Sequence, residues 1–161
     1  MLRWMAPFLS FTAEEAWKLF GTSESIFMET YADLGTPDAA LLAKWARIRE
    51  IRDTANKEIE AVRAEGKVGS SLQANITLET GPEDHALLAS LGEDLKFIFI
   101  TSVVDLQTGN ELRVQVQPST AVKCERCWHY RDDVGHDPAH PTICGRCTSN
   151  LFGAGEVRAV A

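Results

Sequence analysis

The chain has four cysteines, Cys124, Cys127, Cys144 and Cys147, and they form two C-x2-C pairs separated by sixteen residues. Two residues between thiolates let one tight turn aim both sulfurs at a single point. Two such turns supply four soft ligands in a tetrahedron, the arrangement zinc takes in closed structural sites. The separation falls in the window of about 15–20 residues typical of zinc modules. A rubredoxin-like iron centre or two disulfides would also use four sulfurs. Nothing beside the pairs offers an open coordination position or a general base. One structural zinc is expected.

The segment between the pairs shows why a metal is needed there. Trp128 to Ile143 holds few aliphatic residues, two prolines and a glycine. It cannot bury enough apolar area to offset the entropy of ordering it. Metal binding then supplies the folding free energy. His129, His136 and His140 lie in the same segment and could replace a cysteine as ligand. With both pairs intact, they are read instead as neighbours of the site or as solvent-facing side chains.

Composition narrows the function classes. The formal net charge is −7 over 161 residues, with 45% hydrophobic residues. That acidic balance argues against a nonspecific nucleic-acid coat and against a DNA-wrapping partner, but leaves room for a shaped local RNA contact. No apolar run reaches the length of a membrane span. The opening residues Met1 to Trp4 lack the layout of a signal peptide, and paired cysteines without an export signal suit a reducing compartment. A cytoplasmic protein with no membrane partner is expected.

Read in order, the pattern is helical, then mixed, then metal-dependent. Residues 1–20 read as a helix broken at Pro7, with Thr12 and Glu15 as a capping box opening a second piece over 13–20 that Gly21 ends. A long helix over 36–66 follows, with Thr36 as cap, Pro37 in the first turn and Gly66 as stop. Its buried stripe is read as Leu41, Trp45, Ile48, Ala55, Ile59 and Val62, with Arg52 at the gap. After Gly69 the period drops to two: Leu72, Ala74, Ile76 and Leu78 face inward along a strand. Gly81-Pro82 opens a short helix carrying Leu87, Leu88 and Leu91. Residues 94–100 suit either a helical turn or a strand. Strands at Val103 to Leu106 and Leu112 to Val116 are expected to join as a hairpin around Gly109-Asn110, and 150–161 reads as a tail. The fold class is α+β: a partial helical-bundle arm (1–66), a small α+β unit (67–120) and a C-terminal four-cysteine zinc knuckle module (121–161).

Three stretches carry a family resemblance. Leu2-Arg3-Trp4-Met5-Ala6-Pro7-Phe8-Leu9-Ser10-Phe11-Thr12-Ala13-Glu14-Glu15-Ala16-Trp17 resembles the anticodon-binding helices of class I aminoacyl-tRNA synthetases for branched aliphatic amino acids. Arg52 to Glu60 with Arg63, followed by Gly69-Ser70-Ser71-Leu72-Gln73-Ala74, looks like the stretch where that helical domain meets its C-terminal extension. Lys123-Cys124-Glu125-Arg126-Cys127-Trp128-His129-Tyr130 with Ile143-Cys144-Gly145-Arg146-Cys147 is similar to the terminal zinc module of bacterial isoleucyl-tRNA synthetases. The resemblance covers essentially the whole chain and is to the C-terminal part of those enzymes. It implies a monomeric, ATP-dependent ligase in which this stretch binds the anticodon region of isoleucine tRNA. The family's His-Ile-Gly-His-like and Lys-Met-Ser-Lys-Ser-like motifs are missing, as is its editing domain. No catalytic residue is therefore assigned, ATP would be used only by a catalytic domain outside this sequence, and the remainder of the synthetase is an implied partner.

Within the module, Trp128 is the expected stacking residue for a loop base, and Lys123, Arg126, Arg131 and Arg146 are the expected phosphate or base contacts. Glu125, Asp132, Asp133 and Asp137 offset part of that charge. Two other classes fit the cysteine spacing: a free-standing zinc adaptor for protein or RNA, and the finger of formamidopyrimidine-type DNA glycosylases. The glycosylase class needs an N-terminal proline beside a glutamate, and Pro7 has no adjacent acid. Finally, Leu2, Trp4, Met5, Phe8, Phe11, Trp17 and Phe20 are too many large apolar side chains for two helical elements to enclose. An exposed apolar patch along 1–20 is expected.

Overall fold

The helical period ends at Gly66, and strands mixed with short helices follow it. In the computed structural model, which describes residues 1–156, the chain forms two compact units, Met1–Ala39 and the residues from Ala40 on. No helix among the described residues is long and apolar enough to cross a membrane.

The first unit contains α1 (Leu2–Met5), α2 (Ser10–Phe20) and a 3-10 turn, Ile26–Met28. Its small core is Ala13, Trp17 and Ile26, with Leu2, Met5 and Ala6 packed against it. The break falls around Pro7 as read. The capping box does not form: α2 starts at Ser10 behind Leu9, whose carbonyl accepts from Ala13 N at 2.8 Å, and Thr12 and Glu15 are exposed. Glu14 is the acid with a structural task, accepting from Ile26 N at 2.9 Å and Ser25 Oγ at 3.0 Å. Gly21 lies against the Trp17 ring, where a Cβ would come within 2.3 Å of it. The expected apolar exposure is present: Phe8 is 73% exposed, Phe11 88% and Phe20 79%.

The second unit is built on α3 (Ala39–Ala64), whose buried side chains are Ile48, Ile51, Ala55 and Ile59. The stripe differs from the one read in sequence. Leu41 is exposed, Trp45 and Val62 are half-buried, and Ile51, one residue before the assumed gap at Arg52, is fully inside. Gly66 ends the helix in the left-handed region at φ 73°. Next come β1 (Ala74–Thr80), α4 (Pro82–Ala89), α5 (Leu95–Phe99), β2 (Val103–Thr108) and β3 (Arg113–Pro118). Ala74, Ile76, Leu78 and Thr80 of β1 point inward in strict alternation. One core joins α3 to the sheet through Ile48, Ile51, Ile59, Ile76, Leu78, Leu88 and Phe99.

The expected hairpin between β2 and β3 is not made. The sheet order is β2-β1-β3, with β2 parallel and β3 antiparallel to β1. The helical crossover through α4 and α5 returns the chain parallel to β1, and β3 then takes the opposite edge. Gly109 N donates to Thr80 O at 2.8 Å, so the connection is tied to β1.

Arg47 on α3 grips Asp84 on α4 through two hydrogen bonds of 2.8 and 2.6 Å. That hydrogen bonding holds the Asp84 carboxyl below its ordinary range. Its contribution is present above the unfolded carboxylate value and fades as pH falls through the lower folded one. Arg47 is 46% exposed, which screens the pair. Asp84→Asn should therefore cost only about 0.5–1 kcal/mol at pH 7, and the difference from the parent chain should vanish in acid urea melts.

Candidate metal centre

Local chain geometry assembles the cysteines. The strands β4 (Val122–Lys123) and β5 (Tyr130–Arg131) pair antiparallel, closing a hairpin around Cys124 to His129. Within it Cys124 N donates to His129 O and Trp128 N donates to Cys124 O, both at 2.9 Å. The second pair straddles a helix start: Cys144 precedes α6 (Gly145–Phe152) and Cys147 lies in its first turn. The helix continues two residues past Asn150, where the tail was read to start, and 157–161 lie outside the described residues.

All four sulfurs lie within 4.8 Å of one another, and the cysteines are free thiols. Cys124 and Cys147 Sγ are 3.8 Å apart, and Cys127 and Cys144 Sγ 3.7 Å. A tetrahedron with metal–sulfur bonds of about 2.3 Å has edges of about 3.8 Å. The donor set therefore fits one tetrahedral ion held by sulfur alone, and disulfides are not formed. Cys124, Cys144 and Cys147 are fully buried, and Val134 and Ile143 are the aliphatic residues packed on them.

The electrostatics of the sulfur cluster itself favour the thiolate at Cys124 and the neutral thiol at Cys127 and Cys144. Burial, the largest influence, pushes the Cys127 and Cys144 thiols up. Burial acts the same way on Cys124, but the backbone N–H groups of Cys127, Cys144 and Arg126 directed at its sulfur outweigh it and bring it down to about 6. Arg126 Nη1 also reaches Cys147 Sγ at 3.5 Å. Four thiolates around a divalent cation leave two negative charges, and such donors and cations offset them.

The histidines stay out of the ligand set. His129 turns Nδ1 toward Cys127 O at 3.2 Å, and its ring meets Phe97 edge-on at 5.5 Å. His140 stacks on Phe152 with centroids 3.8 Å apart, and His136 is exposed.

The residues read as RNA contacts are held in different ways. Trp128 is 58% exposed, its Nε1 donates to Glu125 O at 3.1 Å, and Lys123 Nζ sits 5.2 Å from its ring centroid. Its backbone is left-handed at φ 66°. Arg131 pairs with Asp133 at 2.8 Å, and that carboxylate also accepts from Gly145 N at 3.2 Å. Arg146 forms a two-pronged pair with Glu156 at 2.5 and 2.7 Å and lies 4.8 Å over the Phe97 ring.

Two residues that fix the module to the sheet escaped sequence reading. Ser102 Oγ, 4% exposed as a residue, donates to Leu72 O at 2.5 Å and accepts from Tyr130 N at 2.6 Å. Phe97 receives His129, Arg146 and Lys96 around its ring. A serine before a strand and a phenylalanine in an apolar run carry no local mark of such roles.

Comparison with known proteins gives two family matches. Residues 1–78 match the anticodon-binding domain of tRNA ligase, and 123–150 match a zinc finger found in FPG and IleRS. The isoleucine–tRNA ligase of Ralstonia pickettii is 56% identical over 100% of this chain, and that of Cupriavidus necator 55% over 100%. The corresponding ligase of Thiobacillus denitrificans is 52% identical over 98%. The chain spans 18% of the length of the first two relatives and 17% of the third. The zinc-finger description covers two protein groups; the match over 1–78 and the whole-chain relatives separate them. With the sulfur geometry, the finger match makes the centre a structural zinc site rather than an iron one.

Proposed function

Because the chain belongs to the isoleucine–tRNA ligase family, aligning with the C-terminal part of its members, we propose that it recognises the anticodon region of isoleucine tRNA. In this reading 1–66 belong to the anticodon-binding helical domain, 67–120 form the small α+β unit and 121–161 the zinc module. ATP-dependent isoleucylation would be carried out in the cytoplasm by a catalytic domain outside this sequence. Cys124, Cys127, Cys144 and Cys147 would hold the zinc that sets the module's shape.

One observation carries the proposal. Trp128 combines a left-handed backbone at φ 66° with 58% exposure of the residue. For a bulky side chain that conformation costs on the order of 1–3 kcal/mol, and such strain collects where a residue is held for use. The turn around Cys124 and Cys127 imposes the backbone, the Glu125 carbonyl fixes the indole, and the ring faces solvent. A rigid, exposed indole is what an unstacked base needs for stacking. Lys123 and Arg126 flank it as phosphate contacts. Arg131 and Arg146, each oriented by a carboxylate, complete the basic set.

Trp128→Ala is expected to weaken binding of isoleucine tRNA by about 1–3 kcal/mol with zinc still at one per chain. Arg126→Ala should weaken it too, and should lower the slope of log affinity against log salt by about one phosphate contact. Filter-binding titrations across a salt series measure both. Unchanged affinity in the two variants would remove the reading.

A further inference from the structure

The sheet unit and the zinc module have separate interiors. The main core joins α3 to the sheet, the module's core is the cysteines with Val134 and Ile143, and no residue belongs to both. Apolar packing shapes the first and metal binding the second, so neither fixes the angle between them. That angle is left to contacts outside both cores. Two of these meet the residues directly after Trp128. The His129 ring stands edge-on to Phe97 with centroids 5.5 Å apart, and Tyr130 N donates to Ser102 Oγ at 2.6 Å.

Ser102 is anchored in the sheet unit twice. Its backbone N donates to Ala74 O at 3.0 Å, and its Oγ donates to Leu72 O at 2.5 Å. The hydroxyl spends its one proton on Leu72 and a lone pair on Tyr130, so it bridges the turn before β1 to β5. Without that hydroxyl, Leu72 O and Tyr130 N lose their partner in the docked arrangement and recover water in an undocked one. Ser102→Ala therefore disfavours docking while touching neither core. Phe97 is half-buried and also lies outside both cores. Besides His129, its ring carries the Arg146 guanidinium at 4.8 Å. His129 follows the first cysteine pair and Arg146 lies inside the second, so one ring holds both halves of the zinc site.

We propose that Ser102 and Phe97 are positioning residues, which together fix the direction in which the zinc module presents Trp128 relative to α3 and the sheet. Their part in binding rests on the tRNA-recognition reading, whereas the orientation itself is measured without RNA. In the zinc-loaded parent chain, residual dipolar couplings from β1 and from residues 124–131 should fit a single alignment tensor. In Ser102→Ala and in Phe97→Leu the two regions should need separate tensors, with zinc still at one per chain and Ile76 and Leu78 amides still protected. Phe97→Tyr, which keeps the ring, should match the parent. Isoleucine tRNA should bind Ser102→Ala about 2- to 150-fold more weakly, the span of couplings between neighbouring residues. That loss should disappear when Trp128→Ala is already present. A single tensor in both variants would overturn the proposal and leave the tRNA reading intact. A tRNA loss that persists in full on the Trp128→Ala background would also overturn it, since the two residues would then act independently. Separate tensors in the variants of a chain whose parent fails to bind tRNA would sustain the positioning and overturn the tRNA reading.

Discussion

Cys144→Ser is expected to release the zinc and unfold the module from Val122 to Phe152, leaving α3 and the sheet folded. The module's own core consists of the cysteines with Val134 and Ile143. Burying two aliphatic side chains contributes about 3–6 kcal/mol, far below the entropy of ordering some thirty residues. Metal binding, at about 10–16 kcal/mol in zinc-finger peptides, exceeds that apolar contribution and is the favourable term the variant removes. The main core around Ile48, Ile76, Leu78 and Phe99 contains no residue of the module. Hydrogen exchange should show Cys124, Trp128 and Thr148 amides losing protection while Ile76 and Leu78 keep theirs. Native mass spectrometry should give no zinc. Retained protection in a metal-free module would mean that the polypeptide holds this shape unaided.

Phe99→Ala should have the complementary effect, lowering the stability of the sheet unit by about 3–5 kcal/mol with zinc still bound. Phe99 is 1% exposed at the end of α5, within the core that joins α3 to the sheet. The next residue, Ile100, has a left-handed backbone at φ 55°. A β-branched residue there carries a cost of about 1–2 kcal/mol, sustained by what packs on either side. Removing the ring opens a cavity and loosens the hold on that turn. The urea midpoint should fall accordingly, against a total of about 5–15 kcal/mol for an ordinary domain. Loss of zinc along with the fold would show that the two regions unfold together.

These variants separate what the sequence specifies locally from what only the assembled chain specifies. The zinc site was legible because two turns and four identical ligands leave a spacing. The β1 face was legible because Ala74, Ile76 and Leu78 alternate with polar residues. Gly109-Asn110 misled because turn chemistry describes a reversal of the chain and not the edge on which the returning strand lands. The crossover through α4 and α5 had already filled one edge of β1 with β2. Ile51 lies three residues after Ile48 and four before Ala55, a spacing that was available in the pattern. Thr12 and Glu15 had the right spacing for a capping box, but the helix began at Ser10 and left them on its surface. At the site, Trp128 was readable as the residue after a ligand, yet its left-handed backbone was not, since glycine, asparagine and aspartate are the residues that signal that conformation in sequence and tryptophan does not. The pairing of Arg146 with Glu156, ten residues on, depends on where α6 ends.

Footprinting of isoleucine tRNA by the zinc-loaded chain tests the recognition reading most directly. Nuclease protection is expected to be confined to the anticodon stem-loop and to be lost from the loop in Trp128→Ala, with zinc retained in that variant. Protection confined to the acceptor stem, or none at concentrations where the chain is folded and zinc-loaded, would contradict it.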